Sequence, residues 1–213
     1  MSKVEPTPLL IFPYNGNGLE ALHCLGSAYR LAGFVDDTPE KQGADAYGHR
    51  VFDRTALASM PETSVLAVPG SATSFRQRAE VIGKLGVDPA RLATVIHPAA
   101  NVSPLAKIGK NVLIMAGVVV TSNAAIGDHV CVLPNTVIHH DVVIEAWTLI
   151  GANVTIAGGV HVGPNCYIGS GTRIMNGRSV GEGALIGLGS NVIRDVATHS
   201  TVAGNPARRL PPK

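Results

Sequence analysis

The sequence is poor in several things at once, and each shortage excludes something. Aromatic residues make up 4% of 213 residues, with a single tryptophan, so the core must be filled by aliphatic side chains. Charged residues reach only 15% against 46% hydrophobic, which argues against disorder and leaves ample material for a core. The formal net charge of +2 is too small to point to nucleic acid or an anionic membrane. Three cysteines, Cys24, Cys131 and Cys166, have no paired spacing, and no secretory leader opens the sequence. They read as reduced thiols in a cytoplasmic protein. The longest apolar run, "VLIMAGVVV" from Val112 to Val120, falls far short of the ~20 residues that span a bilayer.

Glycine, by contrast, is abundant at 24 residues, and the chain divides into two halves of different period. In residues 1–92 short apolar runs alternate with helical patterns. "PLLIF" (Pro8 to Phe12) reads as a buried strand, followed by "NGNG" and an amphipathic run from Leu19 to Leu31. "GFVDD" (Gly33 to Asp37), a short strand near Arg50 to Phe52, a helix start at "DRTALASM", the strand "SVLAVPG" (Ser64 to Gly70) and a helix over Ser74 to Leu85 complete the half. Strands alternating with helices predict a small parallel α/β, Rossmann-like domain.

In residues 93–213 the period becomes six. Every sixth residue from Ile96 to Val192 is Ile or Val, seventeen positions without an insertion. The position two before each is mostly small (Ala, Val, Thr, Ser or Cys), Arg178 being the one bulky polar exception. Glycine often follows the ladder residue, at 109, 127, 151, 163, 169, 181 and 187, where the chain is expected to turn. A fixed hexapeptide period predicts an all-β parallel β-helix.

Such ladders resemble the left-handed β-helix acyltransferases, an exception to right-handed crossovers. The resemblance implies 18 residues per coil, between five and six coils here, and a homotrimer. Within "NTVIHHDVVI" (Asn135 to Ile144), His139 and His140 then fall at a turn between faces, outside the inward ladder. An 18-residue coil stacks Gly158 above His140, about 4.8 Å away by strand spacing. A histidine base beside a bare backbone amide is the minimum equipment for acyl transfer: the ring takes a proton and the N–H stabilises an oxyanion. Asp141 could orient the imidazole, as a triad carboxylate does. His139 has no assigned role beyond the turn or a substrate contact.

With both halves in view, the chain resembles sugar acyltransferases that place a nucleotide-sugar-binding domain before the β-helix, among them bacillosamine and perosamine N-acetyltransferases and sialic acid O-acetyltransferase-like proteins. "GFVDD", "ATVIHPAANVS" (Ala93 to Ser103), "IHHD" and "VAGNPARRL" (Val202 to Leu210) carry the likeness. The resemblance implies His140 as base, Asp141 as its partner and the Gly158 amide at the oxyanion. It places Asp36 and Asp37 at the nucleotide, with Asn15, Gly16, Asn17 and Gly70 as further substrate contacts. Leu149, Gly158, Ser170, Leu188, Asn205 and Pro206 fall at the coenzyme A site. The chain departs from the family pattern at Asn17 and Leu149, where histidine is common. It departs again in the loop "PYNGNG" (Pro13 to Gly18), where the family usually reads like G-A-G-G-H-G. At Ile144 to Trp147, "IEAW" replaces the common I-G and places the only tryptophan seven residues after His140.

The expected function is an acetyl-CoA-dependent N-acetyltransferase acting on a nucleotide-linked amino-dideoxy sugar, by direct attack on the thioester. The alternatives are an O-acyltransferase on a sugar or sialic acid hydroxyl, and a non-catalytic nucleotide-sugar-binding β-helix. Neither nucleic acid nor a membrane is an expected partner. No bound metal is expected either. Zinc enzymes that resemble this fold, the γ-class carbonic anhydrases, need two histidines five residues apart, and His97, His129, His139, His140, His161 and His199 offer no such pair.

Overall fold

The computed structural model describes residues 5–211. The amino-terminal half is a five-stranded sheet of β1 (Thr7–Phe12), β2 (Tyr29–Val35), β3 (Gly43–Ala44), β4 (Arg50–Phe52) and β5 (Ser64–Ala67), ordered β3-β4-β2-β1-β5. All neighbours run parallel except the β3–β4 hairpin. The helices are short: α1 (Gly16–Ala21), α2 (Ala56–Ser59) and α3 (Arg78–Gly83). The amphipathic run expected over Leu19 to Leu31 is therefore cut. The helix frays through a 3₁₀ turn at Leu22–Cys24, Gly26 turns the chain at φ 56°, and β2 already begins at Tyr29. β-propensity at "YRLAGFV" and pairing with β1 outweigh the helical period there.

From Val95 the chain winds into a parallel β-helix of three faces. Successive residues such as Val119, Val137, Thr155, Arg173 and Asn191 stack 18 residues apart, as the resemblance implied. The last step is shorter, with Leu185 paired to Thr201. The ladder residues from Ile114 to Val192 are buried. Ile96 is 40% exposed, because no coil lies beneath the first. The small inward column is buried from Val112 to Ser190 apart from Arg178, and its threonines bury their hydroxyls satisfied. Thr136 donates to the Gly151 carbonyl at 2.8 Å and Thr148 to that of Gly163 at 3.2 Å. Arg178 escapes the interior by turning its guanidinium to within 3.7 Å of Asp195.

The glycines after the ladder residues serve a purpose different from the expected one. None has a positive φ; a Cβ at Gly109, Gly127, Gly151 or Gly169 would lie 2.4–2.8 Å from a backbone nitrogen of the next coil. They permit close stacking. The left-handed turn residue comes two positions later and is Gly or Asn in most hexads, as at Asn123, Asn135, Asn153 and Gly159.

The first face, bearing Val95, Leu113, Cys131 and Leu149 outward, packs on the amino-terminal sheet in a shared core with Leu9, Ile11, Phe34, Leu66 and Phe75. The second and third faces carry no such cover. No helix among the described residues is long and apolar enough to cross a membrane.

Candidate active site

The corner between the second and third faces, residues 139–142, lies opposite the covered face. Here the left-handed position is Asp141, at φ 58°, which a short polar side chain tolerates. Its Oδ2 is 2.8 Å from His140 Nδ1, and its Oδ1 accepts a 3.2 Å hydrogen bond from the Asn123 amide one coil below. These bonds, that from His140 foremost, hold the Asp141 carboxyl below the usual carboxylate range. With Nδ1–H donating to Asp141, Nε2 carries the free lone pair. That edge faces Gly158: a Cβ built there would meet His140 Nε2 and Cε1 at 2.6 Å. Gly158 accepts from Gly177 N–H through its carbonyl, while its own N–H has no acceptor among the described residues. The corner thus brings an imidazole, the carboxylate bonded to it and a backbone N–H without an acceptor among the described residues side by side.

The expected nucleotide residues gather at the carboxyl ends of β1 and β2, though several are occupied. Asn15 caps α1, its Oδ1 accepting from Gly18 N–H at 2.9 Å, and Gly16 beside it is exposed. Asp36 is buried at 5% exposure, bonded to Thr38 N–H at 3.0 Å and to Lys41 Nζ at 2.9 Å. Burial opposes its ionisation, but those hydrogen bonds prevail and its pKa is lowered. Asp37 forms a forked pair with Arg54. Sequence reasoning overlooked a neighbouring cluster in which Tyr14 and His49 both bond Asp45 Oδ2, at 3.0 and 2.9 Å, beneath the exposed Tyr47.

Asn17, Gly70 and Leu149 meet in one cavity of about 200 Å³ between the amino-terminal domain and the first face. Gly70 is there for room, at φ 119° with Leu149 Cδ1 3.0 Å and Arg78 Cγ 3.1 Å from a Cβ in its place. Ser170, Leu188, Asn205 and Pro206 lie higher. Ser170 Oγ accepts from Ala152 N–H at 3.1 Å, and Leu188, one coil above, is 72% exposed. Asn205 and Pro206 lie in the turn between Thr201–Ala203 and the antiparallel Arg208–Arg209 that ends the sheet of the first face, Asn205 exposed and Pro206 half-buried. Leu149 is half a coil beyond His140, so a single chain holds the cavity and the base on opposite sides of the prism.

The sequence reading also missed the seam that fixes the two domains together. Arg78 is fully buried, its guanidinium bonded to the carbonyls of Pro69, His129 and Trp147. Burial lowers its pKa to about 10, so it remains charged at neutral pH. Asn111 reaches across to both backbone groups of Ala67 at 2.7 Å and bonds His129 Nδ1 at 3.0 Å. His129 stacks on Trp147 with centroids 3.8 Å apart. All three occupy left-handed positions, Trp147 at φ 70°, a strained setting for a bulky residue that the stacking and the Arg78 bond offset. Only the signal of a lone tryptophan at a Gly/Asn position hinted at this.

Burial pushes the thiols of Cys24 and Cys166 up to about 11 and that of Cys131 to about 12, which suits packing and not nucleophilic attack. Among the described residues no group of three His, Cys, Asp or Glu side chains could hold a metal ion.

The family described as "Bacterial transferase hexapeptide (six repeats)" matches residues 105–140, 126–158 and 141–176. No curated protein sequence is similar enough to match the chain. Solved structures match over its full length. Perosamine N-acetyltransferase from Caulobacter crescentus, as a histidine-to-asparagine mutant in complex with CoA and GDP-perosamine, is 27% identical with a TM-score of 0.86, covering 100% of both chains. The acetyltransferase domain of PglB from Neisseria gonorrhoeae, in complex with acetyl coenzyme A, is 29% identical with a TM-score of 0.84, covering 96% of this chain and 100% of that one. WeeI from Acinetobacter baumannii shares the fold, at 23% identity and a TM-score of 0.82, over 96% of this chain and 99% of its own.

Proposed function

We propose that this chain, which belongs to the left-handed β-helix sugar acyltransferases, moves an acetyl group from acetyl-CoA to the amine of a nucleotide-linked amino-dideoxy sugar. The observation that carries this reading is the His140–Asp141 pair with Nε2 directed over the unpaired amide of Gly158. The amine nitrogen attacks the thioester carbonyl carbon, and His140 Nε2 takes the amine proton. Gly158 N–H donates to the oxyanion as it forms. The intermediate collapses by breaking the C–S bond, and the imidazolium returns its proton to the leaving thiolate, giving amide and free thiol. Asp141 holds the ring in the tautomer that accepts at Nε2 and stabilises the imidazolium. A cysteine-linked intermediate finds no support, because all three thiols are buried.

The likeness to an enzyme crystallised with CoA and GDP-perosamine, in which the mutated residue is a histidine, supports the same donor and acceptor class. A homotrimer accounts for the split site: a neighbour's His140 corner would approach the cavity side of the first face, where the amino-terminal domain presents the sugar. The cytoplasm supplies both substrates. The test is thiol release from acetyl-CoA with UDP-, GDP- and dTDP-linked amino-dideoxy sugars. One thiol per amide is expected, and His140→Ala should lower kcat/KM by roughly 10²–10⁴-fold. Wild-type kcat/KM in that variant would refute the mechanism.

A further inference from the structure

The cavity under Gly70 has a chemistry of its own. Its walls are Cys131, Leu133, Leu149 and Ile150 from the first face, with Tyr167 above and the Gly70–Ala72 turn as roof. No charged side chain lines it. Asn17 is its one amide side chain, and that amide has no hydrogen-bond partner among the described residues. The polar side chains of the cavity, Asn17, Ser71 and Tyr167, are all neutral, so a phosphate would lose its hydration here with no cation to replace it, which makes the cavity a poor seat for a nucleotide. An aliphatic chain loses nothing. The volume of about 200 Å³ equals that of about seven waters at about 30 Å³ each, several times the size of one methyl group.

Its position matters equally. The cavity reaches Gly151, and the backbone of Ser170 stacks so closely over Gly151 that a Cβ there would lie 2.4 Å from Ser170 N. Leu188 continues the column one coil higher. A donor running down that column would deliver its acyl end into this cavity. We infer that the cavity is an acyl-chain pocket and that the preferred donor carries an acyl group longer than acetyl, up to about butyryl. This rests on the acyl-transfer reading given above and extends it to the donor's identity. The chemistry balances as before: the longer acyl carbon gains the bond to nitrogen, the C–S bond breaks, and the proton ends on the coenzyme A thiol.

The experiment compares kcat/KM for acetyl-, propionyl- and butyryl-CoA with one nucleotide amino sugar on the wild-type protein. Each methylene that enters the cavity should raise kcat/KM by about fourfold, so butyryl should exceed acetyl by about an order of magnitude. Leu149→Phe and, independently, Leu133→Phe should narrow the cavity and lower the butyryl-to-acetyl ratio at least tenfold. That ratio is internal to each protein, so either folded variant suffices. Acetyl transfer with no gain for the longer donors overturns the inference and leaves the transferase reading standing. A sugar methyl as the true occupant would give that same result. No thiol release from any donor removes both.

Discussion

Replacing Gly158 by alanine separates the proposed catalytic corner from the fold that carries it. Gly158 is not at a positive φ, so alanine brings no backbone strain, and nothing of the inward ladder touches it. The three atoms nearest the added Cβ all belong to the His140 ring, Nε2 and Cε1 at 2.6 Å and Cδ2 at 3.2 Å. Since carbon–carbon contacts settle near 3.5–4.0 Å, the ring must move by about 1 Å. The His140 side chain is 65% exposed and can swing outward, so the cost falls on its 2.8 Å bond to Asp141 and on the position of Nε2. A displacement of that size at a reacting group is worth about 10²-fold, and loss of the base altogether up to about 10⁴-fold. Gly158→Ala should therefore lower kcat by at least about 10²-fold while thermal unfolding stays within about 0.5 kcal/mol of wild type. The amide itself survives the substitution, so the loss reports on the ring and not on the oxyanion donor. Thiol release followed spectrophotometrically and a melting curve decide the matter. Unchanged kcat in a protein that melts normally would show that the His140 ring does not work from above Gly158.

Two further outcomes follow from the same geometry. Asn123→Gly keeps the left-handed turn at φ 60° but removes the 3.2 Å bond to Asp141, so kcat should fall about threefold to tenfold with the KM for coenzyme A donors unchanged; an unchanged kcat would show that Asp141 needs no second anchor. Burial, aided by the nearby Arg78 cation and opposed by Asp128, pulls the His129 pKa down to about 4, whereas the unfolded chain binds that proton near 6.5. Between those values the unfolded state holds more protons, so His129's contribution is complete above about pH 6.5 and shrinks as the pH falls. The loss approaches about 3 kcal/mol by pH 4. Denaturant unfolding across pH 4–7 should show this slope in the wild type and a flatter one in His129→Asn, which also tolerates the left-handed turn; parallel slopes would refute it.

The β-helix was legible because its period is enforced by geometry. Each coil must place one branched residue per face inward, so the Ile/Val ladder cannot drift, and the stacking of Gly158 on His140 followed from the hexad count together with the 18-residue coil that the resemblance implied. The glycine columns show the limit of that counting. Frequency located them, but only coordinates separate Gly151, small because the Ser170 backbone presses on it, from Gly159, which turns left-handed. The amino-terminal half was less legible, since its helices are four to six residues long and too short for a period to stand out.

The domain seam was illegible for a further reason. Arg78, His129 and Trp147 lie on separate coils or helices, and their joint meaning arises from a shared environment that no local pattern encodes. Arg78 falls within the helix expected over Ser74 to Leu85 and drew no reading of its own, yet its guanidinium binds three carbonyls in the interior. A buried cation bonded in this way fixes orientation more than it adds stability, because desolvation offsets much of the gain while each lost partner would leave a carbonyl unpaired. That rigidity has a functional consequence. Arg78 holds the Trp147 carbonyl two residues before Leu149, and its alkyl chain packs against Gly70 at the roof of the cavity. The seam therefore sets both walls of the cavity at once. Asn17 and Leu149, both departures from histidine in the family pattern, are 132 residues apart in the sequence and face one space across the seam.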